Sequence, residues 1–427
     1  MQIDHIHINA HNEILISKHE KSFHHLHEHL QESGYEVEMI IKHLIDFQVG
    51  IPSWALGIGG TRFGRFPEGG EPRSLEEKIQ DVGLLHALNR SSGAISLHIP
   101  WDIPEDFKQI KKLAKSFDLK FDAVNSNTFQ DQKKQQHSYK FGSLSHAHKK
   151  VRKQSVAHNK EVIDIGAALG SDALTVWLAD GACFPGQNNF KEAFRNTLDS
   201  LTEIYEHMPK NWTMLVEYKP YEPNFYATVI QDWGTSYLLA SKLGKKARCL
   251  VDLGHHLPNT NIEQIVATLL MEEKLGGFHF NDSKYGDDDL TVGSIKPYQL
   301  FLIFNELIKE KKNSIGKAHS LYYMIDASHN LKDPLEDLLQ SVEAMLIAYA
   351  QAMLVDRKKL TKAQQQNDVT MAQETLQWAY RTDVRPLLAE ARLRSEAALD
   401  PLGCYRHLQI RKQLIAERGK EGMATGL

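Results

Sequence analysis

Cysteine is scarce: Cys183, Cys249 and Cys404 are the only three in 427 residues. Odd in number, far apart and without CxxC spacing, they argue against a disulfide framework or a zinc–thiolate site. They fit reduced thiols in a cytoplasm. An excess of one charge is lacking too, since 50 basic residues against 54 acidic ones leave a net charge of -4. That balance gives no reason to expect nucleic acid or an anionic membrane as a partner. The opening MQIDHIHINAHNEIL has no cationic start and no uninterrupted apolar stretch, so neither a signal peptide nor a membrane span is expected. With 42% hydrophobic and 24% charged residues, the chain can bury a deep core. It can do so as one large barrel with additions or as two or three small domains.

The segment 1–47 reads as helical, with Leu26, Leu30 and Tyr35 at helical spacing among polar residues. A different rhythm then begins. Short apolar runs (Gly50 to Leu56, Ala94 to His98, Phe121 to Val124, Leu174 to Leu178, Met214 to Glu217, Cys249 to Leu253, Gly276 to Phe280, Leu321 to Ile325) alternate with amphipathic stretches such as Asn196 to His207 and Thr260 to Lys274. Strand–helix alternation implies parallel strands with right-handed crossovers, and about eight such units make a (β/α)8 TIM barrel the expected architecture over 48–332.

Three loops interrupt the pattern. Gly57 to Phe66 is glycine-rich but lacks the Lys-Ser/Thr ending of a P-loop, so a tight loop is expected rather than a phosphate cradle. Asn125 to Lys150 is polar and reads as a long surface excursion. Asn281 to Val292 is acidic. Beyond it, Asp333-Pro334 is a helix start, with aspartate capping and proline in the first turn. Leu338, Val342, Met345, Tyr349 and Met353 keep one apolar face, and helices are expected around Met371 to Tyr380 and Val384 to Ala398. The segment 333–427 therefore reads as a C-terminal helical extension packing on the barrel or a neighbouring subunit, with RGKEGMATGL frayed at its end.

In such barrels functional groups gather at the carboxyl ends of the strands. Those ends hold His98 and Trp101, then Trp177 and Asp180, Glu217 and Lys219, Asp252 and His255, His279, and Asp326. Charged groups there are costly to bury unless a divalent cation justifies them. Glu217, Asp252, His279 and Asp326 come from adjacent strands and converge on one ion. His255, Asp287 and Asp289 come from neighbouring loops and suit a second, with Glu217 reaching both. Oxygen and imidazole donors fit magnesium, manganese, cobalt or zinc, and several carboxylates favour manganese. Two residues apart on a strand, Glu217 and Lys219 share the inward face. The plainer readings are a Glu217–Lys219 salt bridge in the barrel mouth and a solvated acidic turn at Asp287-Asp288-Asp289.

Longer motifs narrow this. SLHIPWD (96–102), FDAVNSNTF (121–129), ALTVWLADG (173–181), VDLGHH (251–256), GGFHFNDSKYGDDDL (276–290) and MIDASHN (324–330) resemble the L-rhamnose isomerase family, more closely its broad-specificity bacterial branch, within the xylose-isomerase-like barrels. The likeness runs from about Ile51 to Tyr380. It implies a homotetramer of barrels with two divalent ions, usually manganese. Glu217, Asp252, His279 and Asp326 would hold a structural ion, and His255, Asp287 and Asp289 a catalytic one, with Glu217 bridging. Lys219 would contact the sugar near the reacting carbons and His98 the ring oxygen during opening. Trp54, Trp101 and Trp177 would line the sugar pocket, and Phe63 would be lent to a neighbouring subunit's pocket. The plain alternative for each aromatic is core or loop packing.

The expected activity is reversible aldose–ketose isomerisation. L-Rhamnose is the first substrate to consider, and L-mannose, L-lyxose, D-allose and D-ribose are compatible with a broad-specificity branch. Hydrogen would pass from carbon two to carbon one as a hydride or as a proton through a base such as Asp326, and the residues do not choose between them. Two rival readings are a metal-dependent phosphodiester hydrolase on the same barrel type and a sugar-binding barrel without catalysis. The acidic balance opposes the first. The retention of Lys219 and of every ligand position opposes the second.

Overall fold

The computed structural model describes residues 3, 5–57, 66–222, 224–313, 321–327 and 331–420, the side chains of 309–313 excepted. Eight parallel strands form a closed ring. In chain order they are Gly50–Pro52; Ala94–Ser96 continued by His98–Ile99; Lys120–Phe121 continued by Val124–Ser126; Ala173–Val176; Thr213–Glu217; Ala247–Asp252; Leu275–Phe280; and Tyr322–Ile325. Each pairs with its neighbour in sequence, and Gly50 pairs with both Ala94 and Met324, which closes the barrel. The fold is the expected TIM barrel.

A helix follows every strand: Leu75–Asn89, Phe107–Ser116, Lys149–Leu169, Phe190–His207, Trp233–Leu243, Ile262–Met271, Pro297–Asn313 and Pro334–Met353. Asp333 caps the last of these, accepting from the Leu335 amide at 2.9 Å, with Pro334 in the first turn. Among the described residues no single helix is long and apolar enough to cross a membrane.

Strand limits differ from the periodicity in two places. The first strand stops at Pro52, which has no amide to donate, and Ser53–Ala55 turns as a short 3-10 helix. The second and third strands are each interrupted. At the break, Ser96 Oγ donates to the Ala123 carbonyl at 2.5 Å and Asn125 Nδ2 donates to Ser96 Oγ at 2.9 Å, so buried side chains supplement the backbone bonds from the Asp122 and Asn125 amides to the Ile95 and Leu97 carbonyls.

Alternation along the seventh strand shows how the site is aimed. Phe280 packs outward on Phe304, with ring centres 5.7 Å apart. Between Phe278 and Phe280, His279 points to the barrel axis.

The N-terminal residues form two helices, His5–Glu32 and Val37–Ile45. At the other end the chain adds Arg357–Gln365, Val369–Arg381, Arg385–Arg394, Pro401–His407 and Ile410–Arg418. The expected fraying from Arg418 is corrected in part. That side chain is buried and makes two bonds to Asp81, at 2.7 and 2.8 Å, which fasten the C-terminal helix to the barrel. Residues 421–427 lie outside the described residues.

Candidate metal centre and pocket

Three carboxylates and an imidazole meet at the carboxyl ends of strands five to eight. One ligand atom from each of Glu217, Asp252, His279 and Asp326 lies within 4.8 Å of the others. His279 Nδ1 is 3.2 Å from both Glu217 Oε1 and Asp326 Oδ2. Asp252 is oriented from behind: its Oδ1 accepts from the Gly254 amide at 2.7 Å and from Asn281 Nδ2 at 3.0 Å. Fixing one carboxylate oxygen leaves the other toward the cluster, as metal-ligating carboxylates are held.

The electrostatics follow from burial and crowding. Burial opposes ionisation of Glu217, but His279 and His255 outweigh it and hold the carboxyl well below the usual range. Burial, together with Glu217 and Asp326, raises Asp252. His279 is pushed well upward, its burial overcome by Glu217 and Asp326. Three carboxylates this close repel strongly in a low-dielectric site. Nitrogen and oxygen donors at this spacing fit a divalent cation, which would relieve the repulsion.

Next to this set, His255 Nδ1 is 3.2 Å from Glu217 Oε1 and its Nε2 is 3.2 Å from Asp287 Oδ1. Asp287 Oδ2 lies 2.6 Å from Lys219 Nζ, and Lys219 also contacts Glu222. Burial first, then Asp326 and Asp252, push the Asp289 carboxyl up to about 8. The acidic run divides its labour. Asp287 and Asp289 both take left-handed backbone angles (φ 53° and 49°), which aspartate tolerates. Asp288 between them turns away and accepts from the Lys284 and Tyr285 amides at 2.6 and 2.9 Å. Gly286 leaves room for the Tyr221 hydroxyl, which would stand 1.7 Å from any Cβ there.

The aromatics complete a wall. Trp54 Nε1 donates to Asp326 Oδ1 at 2.9 Å. Trp54 and Trp101 pack against His98 at 5.2 and 4.8 Å, and Lys219 Nζ stands 5.2 Å from the Trp177 ring centre. Both His98 nitrogens lack a protein hydrogen bond among the described residues, and burial lowers the ring's pKa to about 4, so it is neutral. Behind the wall, buried Asp102 accepts from Lys78 Nζ at 2.7 Å, the His98 amide at 2.8 Å and Ser53 Oγ at 2.5 Å. Phe63 lies outside the described residues.

The contacts run in a closed circuit: Asp326, Trp54, His98, Phe129, Trp177, Lys219, Asp287, His255, Glu217, His279 and back to Asp326. Asp180, read from its strand end as a candidate, is turned elsewhere. Its two oxygens accept the amides and hydroxyls of Ser143 and Ser145 at 2.7 to 2.9 Å. It thereby tucks Ser143–His146 into the interior, so the expected surface excursion is only partly exposed.

Residues 91–301 match the family described as xylose isomerase-like TIM barrel. Over 392 residues the chain is 52% identical to the probable sugar isomerase of Rhizobium meliloti, covering 91% of this chain and 90% of that one. The chain belongs to the xylose isomerase-like TIM barrel family. A probable sugar isomerase of Mesorhizobium japonicum is likewise 52% identical, over 93% of this chain and 92% of the relative. Among solved structures the fold is similar to an L-ribulose 3-epimerase (TM-score 0.52, 12% identity, 72% of this chain and 95% of that one). It is also similar to the 3-keto-D-glucoside 4-epimerase of E. coli (TM-score 0.51, 12% identity, 70% and 98%).

In this xylose isomerase-like barrel, several residues of the mouth escaped the strand-end reading. Phe129 bridges His98 and Trp177 at 5.5 and 4.6 Å, but it follows an irregular stretch where no periodicity points inward. Asn281 and Glu222 act through the ligand Asp252 and through Lys219, and only their closeness to His279 and Lys219 in the chain could have marked them.

Proposed function

We propose that this barrel is a metal-dependent aldose–ketose isomerase, with L-rhamnose the first substrate to test and L-mannose, L-lyxose, D-allose and D-ribose next. The observation that carries the reading is the closed circuit joining a cation-type donor set to an aromatic wall with Lys219 between them. A sugar fits such a mouth because its apolar faces stack on rings while its hydroxyls face oxygen ligands and cations. The sugar isomerase names of the two relatives support the same class.

Two divalent ions, manganese first with cobalt, magnesium or zinc as alternatives, would be held by the residues described. Glu217, Asp252, His279 and Asp326 form one set, and His255, Asp287 and Asp289 the other, with Glu217 between them. When bound, such a cation supplies Lewis acidity to sugar oxygens. The chain does the rest. Neutral His98 takes or returns a proton at the ring oxygen as the sugar opens. Lys219, held by Asp287, Glu222 and the Trp177 face, adds positive charge where an oxyanion develops. Hydrogen passes between carbons two and one as a hydride or as a proton; in the second case Asp326, steadied by Trp54, serves as the base. Trp54, Trp101, Trp177 and Phe129 exclude water and orient the open chain.

The reading includes a homotetramer in which Phe63 completes a neighbour's pocket. Exposed Phe184, Phe190, Tyr226, Tyr285 and Leu331 border the loops at the mouth, the kind of apolar rim a subunit contact covers. The test is an aldose panel assayed for ketose with manganese and with EDTA. Ketose formed only with the metal supports the proposal. No turnover of any aldose by metal-loaded protein ends it.

A further inference from the structure

Between Glu217 and Lys219 stands Tyr218, which strand alternation sends the opposite way, out of the barrel and into the sheet–helix core. It is 1% exposed. Its hydroxyl is 2.7 Å from His256 Nε2, with the two rings edge to face at 5.3 Å. His256 directly follows His255 and is itself buried. The contact therefore ties the end of the fifth strand, which carries Glu217 and Lys219, to the loop after the sixth, which carries His255.

That loop has a second tie on its other side. The Asp287 amide donates to the Gly254 carbonyl at 2.8 Å. His255 thus sits between one link to the glutamate's strand and one to the aspartate's loop. Its two nitrogens face the same two neighbours, Glu217 and Asp287, each at 3.2 Å. The Glu217–Asp252–His279–Asp326 set needs no such loop, because all four members lie in, end or adjoin regular strands and Asp252 has further support in Gly254 and Asn281.

We infer that Tyr218 and His256 are a positioning pair for the second cation set: their hydrogen bond places His255 between Glu217 and Asp287. Neither touches substrate. The inference rests on the two-ion reading above. Partners of this kind, one step behind a ligand, are worth about 10- to 100-fold in metal affinity.

The experiment is calorimetric titration of manganese chloride into chelator-stripped protein, for wild type, Tyr218→Phe, His256→Leu and His256→Gln. Wild type is expected to take two ions. Tyr218→Phe and His256→Leu keep one affinity and weaken the other by about 10- to 100-fold, and combining them adds nothing further. His256→Gln, whose amide offers the tyrosine hydroxyl either a donor or an acceptor, recovers most of the loss. Thermal midpoints of the metal-free proteins are read alongside. A lower midpoint with both affinities unchanged overturns the inference, because a purely structural contact would do only that. Wild type that binds fewer than two ions overturns the two-ion reading itself. Should Tyr218→Phe fail to fold, the two His256 variants give the same answer.

Discussion

Trp54 and Asp326 are 272 residues apart in the chain, yet the indole nitrogen donates to the carboxylate at 2.9 Å. The bond joins the aromatic wall to the donor cluster across the seam where the barrel closes. Trp54→Phe keeps a ring on His98 and removes only the donor. We expect kcat/KM to fall by about tenfold, equivalent to ~1.4 kcal/mol of transition-state stabilisation, read by steady-state kinetics. An unchanged value would separate the wall from the base.

Lys219 has a negative partner on two sides and an indole face on a third. Lys219→Met should lower kcat by about 10²- to 10³-fold, the size of effect seen when one charge-stabilising group is lost. KM should change little. Loss of substrate affinity with kcat intact would assign the lysine to binding alone.

Removing divalent ions should destabilise the protein as well as silence it. Without a cation, Glu217, Asp252 and Asp326 crowd one another around a single imidazole. Stripping with EDTA is expected to lower the thermal midpoint, and manganese should raise it again in a concentration-dependent way. Scanning fluorimetry across a manganese series checks this.

His86 is buried on the first barrel helix, and its pKa is lowered to about 4 by burial, with Arg90 adding to the effect. An unfolded chain binds that proton near pH 6.5 and the folded one does not. Stability is therefore full above pH 6.5 and is lost as pH falls toward 4, by on the order of 3 kcal/mol from this group. A His86→Gln protein should show a shallower decline of thermal midpoint between pH 6.5 and 4 than wild type.

The Asp81–Arg418 pair is buried and spans 337 positions. Arg418→Met leaves an aspartate enclosed without its counter-charge and should cost about 3–5 kcal/mol. Adding Asp81→Leu should restore much of that, because removing both charges removes the need for either. Chemical denaturation of the three proteins compares them.

Much of the mouth was legible because its signals are local. An acid or histidine ending an apolar strand is conspicuous, and alternation by two separates Glu217 and Lys219 from Tyr218. Asp333-Pro334 announces a helix in two residues. Other features depended on contacts remote in sequence. Asp180 reads like a ligand until Ser143 and Ser145 take both its oxygens. Asp287, Asp288 and Asp289 are equivalent letters until left-handed backbone turns the middle one aside. Arg418 looks like a frayed end until Asp81 receives it.

Taken alone, the order of residues determined the alternation of strands and helices, and with it which side chains of each strand end face inward. That follows from short-range geometry, since a period of two holds whatever the strand packs against. Only the tertiary structure decided which ends became neighbours, how the ring closed between the first and eighth strands, and therefore that Asp326 would meet Trp54 on one side and His279 on the other. Closure is a collective property of eight registers, and no single segment carries it.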